Sequence, residues 1–128
     1  YVEFSREEPT YFTLVAQFES RPADPETASE RMRKCLVEAD RGLETMSEAI
    51  QNGIDDGSIR PDLDPTQTAL TLWGSTHGLI QLAANKQAGL EQRYELAPDA
   101  LVDGGLEFLG VALAGRPLPD SDENPTER

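Results

Sequence analysis

One cysteine, Cys35, is the chain's whole supply of thiol, so no internal disulfide can form. That suits a reducing, cytoplasmic setting. No apolar run approaches the roughly 20 residues that a bilayer-spanning helix needs, and no signal-peptide pattern opens the chain. A membrane partner is not expected. Basic residues are scarce: 11 Lys and Arg stand against 24 Asp and Glu, for a formal charge of −13. Binding to nucleic acid requires clustered cations that displace counterions from phosphates. The densest group here, Arg31, Arg33 and Lys34, is flanked by Glu30 and Glu38 and reads as a solvated helix face. These residues alone are not expected to hold DNA.

Histidine is scarcer still, with His77 alone. A metal site needs several ligands at coordinating distance, so neither a metal nor any other cofactor is expected. Asp55, Asp56, Asp62 and Asp64 are the densest carboxylates. They lack the alternating oxygen ligands and closing bidentate glutamate of a calcium loop, and capping or solvated loop roles fit them better. No Ser-His-Asp order, phosphate loop or dinucleotide fingerprint occurs. Ser75 stands two residues from His77, a spacing that points two helical side chains apart. Enzymatic activity is not expected.

What the chain does have is helical periodicity, in a length of 128 residues that fits one domain. Tyr1 to Glu8 reads as the last turns of a helix, so the chain reads as a fragment whose beginning is missing. Pro9 can open a second helix, where its absent N–H does no harm. Tyr11, Phe12, Leu14, Val15, Ala16 and Phe18 make that helix apolar nearly all round, the pattern of an element buried on several sides. Turn residues follow from Ser20 to Pro25. Asp24, as cap, and Pro25 then start what reads as the longest helix. Its apolar stripe runs Ala28, Met32, Cys35, Leu36, Ala39, Leu43, Met46, Ile50, which makes Cys35 a small buried residue rather than a redox switch. Asn52-Gly53 is its stop signal, unless the helix runs on to Gly57.

The connection that follows is polar apart from Ile54, Ile59 and Leu63, which should pin it to the core. Asp64-Pro65 repeats the cap chemistry, with Gln67 three residues on. The next helix should run to Lys86 or Gln87, leaving Leu90 to Leu96 as a loop or short turn. Pro98 and Asp99 open the last helix, whose apolar residues cover a wide arc before Gly115, Arg116 and Pro117 stop it. The tail from 116 to 128 is acidic and proline-rich and reads as disordered. There is no internal repeat.

Two constellations carry the functional reading. Trp73 and His77 sit one turn apart and offer an aromatic plane and a polar tip. Trp73 is either core or a platform for a ligand. His77 is either satisfied within helix packing or a hydrogen-bonding group of a pocket, near its titration range at neutral pH. The second constellation is glycine. Gly74, Gly78, Gly104, Gly105 and Gly110 fall inside helices, where each costs roughly 1 kcal/mol relative to alanine. Close crossings of helices, within the chain or across a dimer axis, would offset that cost.

Four segments in one order, YVEFSREEPTYF, the long amphipathic helix closing in GIDDGSIRPDLDP, ALTLWGSTHGLIQL and the final apolar helix, resemble the C-terminal regulatory domain of TetR-family transcription regulators. The likeness is closest to a subgroup with a Trp-x-x-x-His-Gly helix and covers roughly residues 1–115. It implies an all-α antiparallel bundle of about five helices. It implies that an N-terminal helix-turn-helix domain, absent from this chain, reads operator DNA. The last two long helices would form a four-helix-bundle homodimer interface through Gly74, Gly78, Leu79, Leu82, Leu101, Gly105, Phe108, Leu109 and Ala112. A small-molecule effector would enter a pocket lined by Phe12, Leu36, Leu43, Trp73, Thr76 and His77 and release a repressor from DNA. With one histidine, a metal-chelate ligand of the tetracycline type is not expected. The other reading is a helical dimerisation module with no small-molecule site.

Overall fold

The 30-residue helix Pro65–Tyr94 is the axis on which the other elements pack. The computed structural model describes residues 1–19 and 28–115, the side chains of 18 and 19 excepted. Five helices follow in order: α1 (Val2–Glu7), α2 (Pro9–Glu19), α3 (Glu30–Asp55), α4 (Pro65–Tyr94) and α5 (Pro98–Ala114). No strand occurs among the described residues. Helices α3 and α5 both pack on α4, each antiparallel to it through a short connection, and α1 packs on α4 while carrying α2 beside it. The expected Asp24 cap, the Pro25 start, the turn from Ser20, the Phe18 side chain and the tail after Gly115 lie outside the described residues.

Local chemistry sets most of the boundaries. Glu8 adopts φ −126°, ψ 58° between α1 and α2, because the ring of Pro9 disfavours helical geometry in the residue before it. Helix α3 begins at Glu30 in the described residues, with the Ser29 hydroxyl accepting from the Met32 N–H at 3.2 Å. Asp64 caps α4 by accepting from the Gln67 N–H at 2.7 Å, with Pro65 in the first turn.

Two expectations about helix length need correction. Helix α4, not α3, is the longest, and it does not stop at Lys86. Lys86 leaves helical geometry (φ −121°, ψ 16°), yet the helix resumes and continues past Gly89 to Tyr94, ending at Glu95 in the left-handed region (φ 52°). The residue that extends it is Leu90, which is buried. Burying a leucine stabilises by about 1.5–3 kcal/mol, more than the roughly 1 kcal/mol that Gly89 costs in a helix. Likewise α3 runs past Asn52-Gly53 to Asp55, and Gly57, at φ 81°, makes the turn.

Gly53 has a different role. A Cβ there would lie 2.6 Å from Ile59 Cδ1, and the Ile59 N–H donates to the Gly53 carbonyl at 2.8 Å. The connection therefore folds back onto the helix it leaves. The Arg60 N–H reaches the Leu113 carbonyl of α5 at 2.9 Å, while its guanidinium grips both oxygens of Asp62, with Nε to Oδ1 at 2.7 Å.

The main core joins Phe12 and Ala16 of α2 with Ile80 and Ala83 of α4 and Val102 of α5; Val2 and Leu101 pack against it. Cys35 is exposed, contrary to the stripe it belongs to. The cause is geometric. Among the described elements α3 packs on α4 alone, so the arc it buries is narrow, holding Met32, Leu36, Leu43, Met46 and Ile50 while leaving Cys35 and Ala39 outside.

Candidate functional site

Trp73, His77, Gln81 and Asn85 recur at every fourth position of α4, so they form one inclined ridge on its surface. The ridge ends where α4 breaks at Lys86. Helix α2 lies opposite, and Tyr1 closes the top. The ring centroids of Trp73 and His77 are 5.6 Å apart, those of Phe12 and His77 5.5 Å, those of Tyr1 and Phe12 5.5 Å in an edge-on arrangement, and those of Tyr1 and His77 6.2 Å in a stack. Pairs in this range gain about 0.5–1.5 kcal/mol beyond simple burial. Phe12 is nearly buried, at 5% exposure, whereas Trp73 is open, at 36%.

His77 is hydrogen-bonded at both ring nitrogens. Tyr1 Oη lies 2.6 Å from Nδ1 and Gln81 Nε2 lies 2.8 Å from Nε2. A carboxamide nitrogen only donates. With the amide so placed, Nε2 accepts, the ring proton sits on Nδ1, and Nδ1–H donates to the tyrosine oxygen. Below His77 a cleft of about 220 Å³ opens between α2 and α4, lined by Phe12, Thr13, Ala16, Gln17, Gln81, Ala84 and Asn85. No lysine, arginine or carboxylate lines it among the described residues.

The residues expected to line a pocket divide. Phe12, Trp73 and His77 come together as described. Thr76 is half-buried beside His77 on α4. Leu43 lines a separate groove of about 250 Å³ between α3 and the start of α4, with Glu44, Ser47, Glu48 and Thr66, and Leu36 is half-buried on α3. Sequence reasoning missed Tyr1, Gln81, Asn85, Thr13 and Gln17. For Gln81 and Asn85 the fourfold spacing from Trp73 was a usable signal; for Tyr1, which meets His77 across 76 positions, there was none.

The residues expected at a dimer interface also divide. Leu79 and Gly105 face one another within the chain, where a Cβ on Gly105 would collide with the Leu79 side chain, and Leu101 packs on the core. Gly74 and Gly78 meet no atom within 4 Å of where a Cβ would stand. Leu82 is exposed, and so are Phe108 at 74% and its neighbour Val111 at 68%. Leu109 and Ala112 line a groove of about 290 Å³ with Leu63, Leu72, Leu113 and the Arg60–Asp62 pair.

Charge lies at the rim. Arg6 of α1 reaches two carboxylates one turn apart on α5, Asp99 at 3.1 Å and Asp103 at 3.0 Å. The Asp103 hydrogen bond, with the charge of Asp99 behind it, raises the guanidinium above its ordinary value. Asp62 does the same for Arg60, through its hydrogen bond first. At the α3–α4 connection, hydrogen bonds from Ser58 hold the Asp56 carboxyl below its usual range. No three His, Cys, Asp or Glu side chains cluster closely enough to hold a metal, and no helix is long and apolar enough to cross a membrane, among the described residues.

An all-helical domain with an aromatic cluster and a small cleft beside α4 is what the fold and site define. The family described as Tetracyclin repressor-like, C-terminal domain, matches residues 1–109, and the chain belongs to that family. Domains of this family are parts of transcription regulators. Searches of curated proteins and of solved structures found no match.

Proposed function

We propose that this is the ligand-sensing and dimerising domain of a TetR-like transcription regulator, a repressor released from its operator by a small apolar or amphipathic molecule. DNA contact belongs to the helix-turn-helix domain that members of the family carry ahead of this one, in keeping with a charge of −13. The observation that carries the reading is His77, bonded at both nitrogens and ringed by Tyr1, Phe12 and Trp73 above a cleft whose described lining carries no charge. A small-molecule site is concave, with a few placed polar groups, and this small cleft sets the Phe12 ring and two alanines beside Thr13, Gln17, Gln81 and Asn85. An occupant between α2 and α4 would favour one arrangement of α1 and α2 over another, and so shift the population of DNA-competent dimers. Aromatic amphiphiles that raise the melting temperature of the protein should lose that effect in the Trp73→Ala, His77→Ala double variant. Unchanged stabilisation of the variant would remove the cleft as the sensing site.

A second reading, a helical homodimerisation module without a small-molecule site, draws on the exposed Phe108 and Val111 of α5. Sedimentation at high micromolar concentration tests the dimer that both readings share; a single monomeric species would rule it out. Ligand stabilisation that depends on Trp73 and His77 separates the two.

A further inference from the structure

Gln81 belongs to two assemblies at once. Its side chain lines the cleft between α2 and α4, and its Nε2 stands 2.8 Å from Nε2 of His77. On the other side of the imidazole, Nδ1 meets the Tyr1 hydroxyl at 2.6 Å, and Tyr1 is the residue at which α1 begins. We infer that Gln81 is the positioning residue that couples the cleft to α1, given the sensing-domain reading on which this rests. Its carboxamide dictates which nitrogen of His77 carries the proton, and so whether Tyr1 receives or gives the hydrogen bond that ties α1 to α4.

A carboxamide nitrogen donates and cannot accept, so Nε2 of His77 accepts while Gln81 stands as it does. The ring proton is thereby confined to Nδ1, and Nδ1–H donates to Tyr1 Oη. Turning the carboxamide over, so that its oxygen meets the ring, reverses each role. Nε2–H then donates to Gln81, Nδ1 accepts, and the Tyr1 O–H donates. Nothing is gained or lost between the two arrangements: one proton passes between the ring nitrogens by way of water, and the phenol keeps its own. Each arrangement makes the same two hydrogen bonds, so one further hydrogen bond from a guest to the carboxamide is enough to choose between them.

Phe12 is shared in the same way. It lines the cleft, and its ring centroid lies 5.5 Å from that of His77 and 5.5 Å from that of Tyr1. A guest that touches Phe12 and Gln81 therefore bears on His77 from two helices. Gln81 stands one turn beyond His77 on α4, a spacing that keeps the carboxamide within reach of the ring. Near the far end of α1, Arg6 is tied to Asp99 and Asp103 of α5, so a change at Tyr1 is felt where α1 begins.

The chain has one histidine, so a nitrogen-15 spectrum of the imidazole reads this site and no other. At a single mildly alkaline pH, the native ring should show Nδ1 protonated and Nε2 bare. Gln81→Glu is nearly isosteric and offers Nε2 acceptor oxygens alone; it should shift the ratio toward protonated Nε2 by about tenfold or more. Gln81→Leu, which offers no partner, should bring the two forms within about threefold of each other. The Tyr1 ring signals should follow the imidazole in both variants. Phenol, a small ring with one hydroxyl, probes the coupling. In the native chain it should move the Thr13 and Ala84 methyl signals, which report the cleft lining, and change the His77 ratio at least about twofold; in Gln81→Leu it should move the methyl signals alone. A native ring protonated on Nε2, or a ratio indifferent to both substitutions, overturns the inference and leaves the sensing site standing. So does phenol that moves both methyl signals without the imidazole. Methyl signals unmoved by phenol remove the cleft as the sensing site, and the coupling with it.

Discussion

The two ends of α4's first half are held in different ways. At the N-terminal end, the connection from α3 is fastened by short-range polar geometry: Asp64 caps the helix, Ile59 folds over Gly53, Arg60 grips Asp62 two residues away, and a single backbone bond reaches α5. At the His77 end, the contacts come from distant parts of the chain and are mostly apolar or aromatic: Phe12 and Ala16 against Ile80 and Ala83, and Tyr1 against His77. The first kind of assembly sets where the chain turns. The second sets what the domain encloses, and so is the one that can answer to a guest.

That contrast can be broken or sharpened by substitution. The largest loss should follow Phe12→Ala, about 3–5 kcal/mol of unfolding free energy in a denaturant titration, because the ring fills the core and also floors the cleft. A loss under 1 kcal/mol would mean that α2 is only loosely docked. Next comes Gly53→Ala, at about 1–3 kcal/mol from overpacking against Ile59. Adding Ile59→Ala should recover part of that loss, and a double-mutant cycle reads the coupling; additive losses would refute the close approach. Asp64→Ala should cost about 1 kcal/mol, as a lost cap does, and should leave the Trp73 indole signal in place. Smallest is Arg6→Gln, below the loss at Asp64 and shrinking further as salt rises, because both of its carboxylate partners are exposed. A larger or salt-independent loss would show that the α1–α5 pairing does more than tie down a rim.

The same contrast explains what could be read from the residues alone. Asp64-Pro65 and the Glu8-Pro9 boundary were legible because cap and proline chemistry act within a few positions. Five helices in this order, and the partnership of Phe12, Trp73 and His77, followed from apolar periodicity together with the resemblance. Gly89 misled because the next residue, Leu90, is buried and carries the helix through. Cys35 misled because a stripe in sequence does not say how wide an arc its neighbour covers. Leu43 belongs to a groove on the other flank of α4, a division that periodicity along α3 does not encode. Tyr1 meeting His77 and Arg6 meeting Asp99 and Asp103 are products of tertiary folding, and no spacing announces them.

The open position of Cys35 has a practical corollary. One sulfhydryl stands on the outer surface of α3, and one indole stands beside His77 on α4. A thiol-reactive acceptor dye attached there, with the native indole as energy donor, yields a spectroscopic ruler between the two helices without installing or deleting any residue. Spreading or tightening of that pair when a compound enters would register as a change in transfer efficiency in the unaltered polypeptide.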